Sequence, residues 1–313
     1  MKGLRTKGEK EVMKLSIIVI AYNMQRVIPR TIRSLLPPYQ TNMSSTDYEI
    51  LIIENGSSNR LDQVVIESLG PNVHYHFLEN APKSPAKAIN FGVQMARGEI
   101  IAVMVDGAHM ATPALLQYGL IPFLSEPNPI VTAPRFFLGL EAQVDSIGKG
   151  YDEDAEDALL EQINWPDGDA YQLFEISTPY RYDFPGGPPK LFWFLRQFES
   201  NCLLMRRITY LNVGGCDERF DYPGGGCLLP DLYRQCCEMD DASIVQIIGE
   251  ATFHQVHGGI TTNTPREQQA QLWREYTEQY KLIRGREFEI CKKPQQFLGH
   301  MPNSAAAKLM LTG

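Results

Sequence analysis

The stretch that most limits what this chain can become runs from Gly98 to His109, Gly-Glu-Ile-Ile-Ala-Val-Met-Val-Asp-Gly-Ala-His. An apolar run from Ile100 to Val105 ends on a lone acid, a glycine, an alanine and a histidine. Such a run, rich in branched residues and bounded by glycines, reads as a strand buried on both faces. In open α/β sheets, ligands bind beyond the carboxyl ends of the strands. Asp106 and His109 stand at that lip.

The chain before this stretch repeats the same grammar. Leu15 to Ala21 is a buried strand that turns at Tyr22-Asn23, and Ile28, Ile32, Leu35 and Leu36 then recur at helical spacing until Pro37-Pro38 stops them. Pro29 suits the first turn of that helix. Tyr48 to Ile53 is a second strand, closed by the polar turn Glu54-Asn55-Gly56-Ser57-Ser58. A helix near Leu61 to Leu69, a strand near Val73 to Leu78 and a helix opened by Ser84-Pro85 and stopped by Gly98 complete the alternation. Strands alternating with helices predict a parallel, right-handed α/β sheet. Three polar strand ends, at Tyr22-Asn23, at Glu54 to Ser58 and at Asp106, would ring one crevice.

The totals remove several classes of function. With 29 basic against 37 acidic residues the net charge is −8, which argues against a nucleic-acid backbone as partner. No apolar run approaches the roughly 20 residues that a membrane helix needs. The first thirteen residues are charged, with no signal-like apolar block, so the expectation is a cytoplasmic protein without an integral membrane segment. Six cysteines, without a CxxC pair, predict reduced thiols.

Four pieces of sequence now carry a resemblance. Ser16-Ile-Ile-Val-Ile-Ala-Tyr-Asn23, Ile52-Ile-Glu-Asn-Gly-Ser57, Ala88-Ile-Asn-Phe-Gly92 and Gly98-Glu…Asp106 together resemble the family-2 glycosyltransferases, and the likeness resumes near 199–260. The resemblance implies a GT-A fold: an α/β protein with a mostly parallel central sheet sandwiched by helices. Residues 14–137 would be the nucleotide-sugar-binding half and 138–264 the acceptor-binding and catalytic half of the same domain. Residues 1–13 would be an extension, and 265–313 a C-terminal helix and tail. It also implies that Ala21, Tyr22 and Glu54 line the base and ribose of a UDP-type donor, with Asn23 and Asn55 in the same turns. Lys87 and Asn90 would lie near the base or the diphosphate, and Asp106 at the phosphates.

Two departures from the family pattern bear on chemistry. The acidic turn reads Glu54-Asn55, an amide for one of two acids, and Asp106-Gly107-Ala108 lacks the second acid of the usual Asp-x-Asp. The departing diphosphate needs its charge neutralised, usually by Mg²⁺ or Mn²⁺ on carboxylates. Related enzymes carry a histidine in the region of Glu250-Ala-Thr-Phe-His254-Gln-Val-His257-Gly-Gly, so Asp106 with His257 or His254 is the expected metal set, His109 being the weaker candidate. Asp231, in Leu229-Pro-Asp-Leu-Tyr-Arg234, falls where the family keeps its general base, although Pro230 departs from the pattern.

The reading that follows is a hexosyltransferase-type enzyme, most simply an inverting one, moving a sugar from a nucleotide-diphosphate sugar to an acceptor hydroxyl in polysaccharide or glycoconjugate synthesis. A retaining transferase and a degenerate nucleotide- or glycan-binding module are its alternatives. The acidic run Asp152 to Glu161 reads as a solvated helix face or loop without chemistry, and Pro185 to Pro189 as a loop. The amphipathic stretch 265–284 would pack on the domain or pair with a second copy, and residues beyond about 300 read as a loose end.

Overall fold

The computed structural model describes residues 14–180, 191–259 and 264–311; the stretch 1–13 and the Pro185–Pro189 loop lie outside them. The strands are β1 (Leu15–Ala21), β2 (Tyr48–Asn55), β3 (Val73–Leu78), β4 (Ile100–Met104), β5 (His109–Ala111), β6 (Asn128–Thr132), β7 (Arg135–Leu138), β8 (Ser177–Pro179), β9 (Leu203–Arg206), β10 (Ala242–Ile248), β11 (Thr252–His254) and β12 (Gln295–Gly299). The helices are α1 (Ile28–Leu35), α2 (Gln63–Glu67), α3 (Ala86–Met95), α4 (Leu115–Leu120), α5 (Gln143–Ile147), α6 (Glu153–Gln162), α7 (Arg207–Asn212), α8 (Leu228–Glu238), α9 (Arg266–Arg284) and α10 (Ala305–Leu309).

Eight strands form the main sheet, in the order β12-β10-β6-β9-β4-β1-β2-β3. Every neighbouring pair is parallel except those made by β9, which runs antiparallel to both β4 and β6. Every residue of β1 and β2 is buried, as expected of strands covered on both faces. Helix α1 packs on one face with Ile17, Val19 and Met104, and α3 and α8 cover the other with Ile18, Ile53 and Val103. The fold is thus the mostly parallel α/β sandwich that the alternating pattern predicts.

A second sheet, β5-β11-β7-β8, stands at the carboxyl end of the first. Here the sequence reading needs correction. His109 is not a residue on an open lip: it begins β5, is 2% exposed, and pairs antiparallel with His254 of β11. The acidic run is helix α6, but it is no bystander, because Glu156 is fully buried. Nor is the end of the chain loose. β12 extends the main sheet beside β10, and the carbonyl of Ala307 in α10 accepts a 2.9 Å hydrogen bond from the indole of the buried Trp193.

Candidate active site

Asp106 follows β4, and the register carries it level with the end of β1, since Val19 pairs with Met104 and Ala21 with Glu54 of β2. Its backbone is gripped from the antiparallel strand side. The amide donates to Asn201 Oδ1 at 2.8 Å and the carbonyl accepts from Asn201 Nδ2 at 3.0 Å. One carboxylate oxygen, Oδ1, accepts from the amide of Ala108 at 2.9 Å, which aims the other away from the sheet. Gly107 has no room for a side chain, as a Cβ there would sit 2.7 Å from the carbonyl oxygen of Ile20. Ala108, where the usual second acid is missing, is fully buried in the apolar core on the α1 face.

Two imidazoles converge on the free oxygen. Oδ2 of Asp106 lies 3.1 Å from His254 Nε2 and 3.3 Å from His257 Nε2, and those nitrogens are 3.0 Å apart. His254 Nδ1 in turn lies 2.5 Å from Gln143 Oε1 in α5. His109 packs its ring edge-on at 4.9 Å from that of His254, its Nδ1 is 3.1 Å from Thr252 Oγ1, and its ligand atom belongs with those of Asp106 and His254 within a 4.8 Å cluster. The Asp106 side chain keeps 28% of its surface open while that of His254 keeps 3% and that of His257 12%, so the corner faces outward through the carboxylate.

Burial alone would push the Asp106 carboxyl up, but His257 and then His254 outweigh it and hold the group well below the usual carboxylate range. Burial pushes the imidazole of His109 well down, and it also lowers that of His254 against the opposing pull of Asp106. At His257 the balance reverses: burial lowers, Asp106 raises, and the net shift is upward. One carboxylate, one imidazole held neutral and one that readily carries a proton therefore share a single point in space.

The histidine loop is held from two further directions. Gln255 donates from its backbone to the carbonyl of Ala108 at 2.8 Å and from its amide side chain to Thr31 Oγ1 at 3.1 Å in α1. Glu156 Oε2 of α6 accepts from the amide of Val256 at 2.6 Å, while Oε1 takes Arg26 Nη1 at 3.0 Å. Burial pushes the Glu156 carboxyl up to about 7 against the pull of that bond and of Arg26.

The structure separates the other predicted residues into two groups. Tyr22, half-exposed, and Asn23 with Asn55 stand at strand ends neighbouring that of Asp106, and Ala21 is fully buried. Asn23 adopts a left-handed backbone (φ 52°) and its Oδ1 accepts from the amide of Asn59 at 3.0 Å, so it ties the two turns together. Asn55 donates to the carbonyl of Pro82 at 2.9 Å, and its Oδ1 is buried without a hydrogen-bond partner. Lys87 is exposed on the first turn of α3.

Three residues are otherwise engaged. Glu54 turns inward, fully buried, with its oxygens on the amide of Leu61 and the hydroxyl of Tyr75, so its carboxylate has no open surface. Asn90 binds the Cys216 turn through both ends of its amide and accepts from Tyr210 at 2.5 Å. Asp231 is 2% exposed, and Arg284 of α9 takes both of its oxygens at 2.8 and 2.6 Å, a closed ion pair instead of an open proton acceptor. Asn201, Gln143, Glu156 and Arg26 carry the site without having been singled out from sequence. Asn201 lies within the 199–260 stretch where the family likeness resumes, just before β9, whereas the other three have no local signal.

Residues 16–137 match the sequence model of Glycosyl transferase family 2. Among solved structures, S. aureus TarS 1-349 in complex with UDP-GlcNAc superposes with a TM-score of 0.52 at 13% identity, covering 86% of this chain and 67% of that one. The same protein in complex with UDP gives 0.51 at 14% identity, over 86% and 72%. No curated protein matches the sequence. At these identities the solved structures speak for the fold, and the family match covers the part of the chain that holds β1 to β7. The chain is built on the GT-A fold, and its residues 16–137 are similar to glycosyl transferase family 2.

Proposed function

We propose that this protein transfers a sugar from a nucleotide-diphosphate sugar, UDP-linked, to an acceptor hydroxyl, with a divalent cation held by Asp106, His254 and His257. The observation that carries the reading is the mutual spacing of three ligand atoms, 3.0, 3.1 and 3.3 Å, at the end of a family-2 strand. Ligands about 2.1 Å from one ion and about 90° apart stand about 3 Å from each other. The carboxylate suits Mg²⁺ or Mn²⁺, and the two imidazoles favour Mn²⁺ over the harder Mg²⁺. His254 and His257 would thus take the place of the acid missing at Ala108. When bound, the cation supplies positive charge to the diphosphate as it leaves.

The remaining roles follow from exposure. Tyr22 offers its open ring to the base, and Asn55, buried at the neighbouring strand end, is proposed to hold the turn on which the nucleotide rests. Lys87, on the same side as these turns, is proposed to meet the diphosphate. UDP release from UDP-sugars, measured with Mn²⁺ and with EDTA, tests the whole scheme. Activity should require the ion, and Asp106→Ala should remove at least two orders of magnitude of turnover. Turnover unaffected by EDTA and by Asp106→Ala would sink the cation.

We read the transfer as inverting in keeping with Asp231 as general base, which requires the Arg284 pair to open during turnover. A second reading, retaining transfer, is favoured by that pair being closed on both carboxylate oxygens. The anomeric configuration of the product, read by NMR, separates them. An inverted product lost in Asp231→Asn keeps the base, and a retained product removes it.

A further inference from the structure

We propose that Gln143 is a positioning residue that sets the tautomer of His254, and thereby decides whether the His254 Nε2 lone pair faces the Asp106–His257 corner. The inference rests on the cation reading above for its consequence but not for its geometry. Gln143 begins α5, in the part of the chain that follows the family-2 match, and is 1% exposed. Its Oε1 lies 2.5 Å from His254 Nδ1. An amide oxygen has no proton to give, so Nδ1 must carry the hydrogen, and a neutral imidazole protonated there has a bare Nε2.

That bare nitrogen meets Asp106 Oδ2 at 3.1 Å and His257 Nε2 at 3.0 Å. Asp106 Oδ2 is itself an acceptor, so without an ion one proton on His257 is what reconciles the three atoms, and with an ion all three lone pairs have a common target. The opposite amide orientation would put Gln143 Nε2 on a bare Nδ1 and force a proton onto His254 Nε2, closing the corner with a hydrogen bond to Asp106. The amide nitrogen of Gln143 is buried and has no hydrogen-bond partner, so no contact on that side opposes a half-turn of the amide. The oxygen-inward orientation is the ion-competent one. A histidine ligand whose far nitrogen donates to an oxygen is the usual arrangement at protein metal sites, and losing that oxygen costs roughly 10- to 100-fold in affinity.

The experiment compares the full-length wild type with Gln143→Leu and Gln143→Glu. Mn²⁺ affinity is read by calorimetry, and the His254 tautomer by two-bond ¹⁵N–¹H correlation in metal-free and Mg²⁺-loaded protein. Glutamate offers only oxygens to Nδ1 and should keep His254 protonated there, with affinity within a few-fold of wild type. Leucine removes the acceptor and should weaken Mn²⁺ roughly 10- to 100-fold, with His254 shifting towards the Nε2–H form. Gln143→Leu that binds Mn²⁺ as wild type does, or His254 carrying its proton on Nε2 in both wild type and Gln143→Glu, overturns the proposal. If Gln143→Leu does not fold, a tenfold loss in Gln143→Glu overturns it instead. Should wild type bind no Mn²⁺, the cation reading fails, while the tautomer pattern still decides the role of Gln143.

Discussion

Asp106 works through four of its own atoms: amide and carbonyl to Asn201, Oδ1 to the Ala108 amide, and Oδ2 to the two imidazoles. Three of these contacts fix the direction of the fourth. The protonation that goes with it is carried by His257, which Asp106 raises above the ordinary imidazole value although burial opposes. A raised folded pKa stabilises below the unfolded value of about 6.5, and that contribution is lost as pH rises through the folded value. Asp106 is depressed, so its contribution is present above about 3.9 and is lost as pH falls through its lowered value. The ion-free pair is therefore strongest between those limits, and the proposed cation would have to displace the His257 proton. Mn²⁺ affinity should then fall about tenfold per pH unit on the acid side of the His257 pKa, with proton release seen by calorimetry in buffers of different ionisation enthalpy. His257→Ala should bind more weakly and lose that slope; an unchanged slope would assign the proton elsewhere.

At the scale of elements, the parallel half was legible because its signals are local. β1 and β3 fall on the predicted residues, since a buried run bounded by turns declares itself within its own window. The sequence of α6 reads as a solvated helix face or a loop, and not as a brace. Six acids in ten residues average to a solvated face, and only the fold reveals that Glu156 points inward to Arg26, 130 residues away in the chain. His254 and His257 were readable through family likeness, whereas nothing near Gln143 or Arg26 announces a partner so distant. Asp231 shows the reverse: a helix-opening acid that its own neighbourhood announces, with an ion-pair partner, Arg284, that lies 53 residues on. Glu156→Ala would leave Arg26 Nη1 and the Val256 amide without their carboxylate. We expect a loss of about 2–3 kcal/mol in urea unfolding and faster hydrogen exchange at Val256. Exchange at Val256 that stays at the wild-type rate would show that α6 does not hold the histidine loop.

At the scale of the molecule, the chain closes on itself. β12 completes one edge of the main sheet, and α10 lies over the aromatic cluster of Phe136, Phe174, Phe192 and Trp193. Deleting residues 295–313 would strip a strand from β10 and uncover Trp193, which is fully buried. Such a protein should unfold at a lower urea midpoint and show a red-shifted tryptophan emission, and a midpoint equal to wild type would return this segment to the status of a loose end. Among the described residues no helix is long and apolar enough to cross a membrane.

The pairing of β5 with β11 has one more consequence, for the order in which the molecule is made. The two imidazoles that reach Asp106 lie 148 and 151 residues beyond it. A chain synthesised only as far as β10 can lay down most of the parallel sheet, with Tyr22, Asn55 and Asp106 side by side at its rim, yet it holds neither imidazole. The corner is therefore among the last things the polypeptide acquires. An incomplete or clipped chain ending before Thr252 would keep the strand ends that carry Tyr22, Asn55 and Asp106 and lack both imidazoles that meet the Asp106 carboxylate.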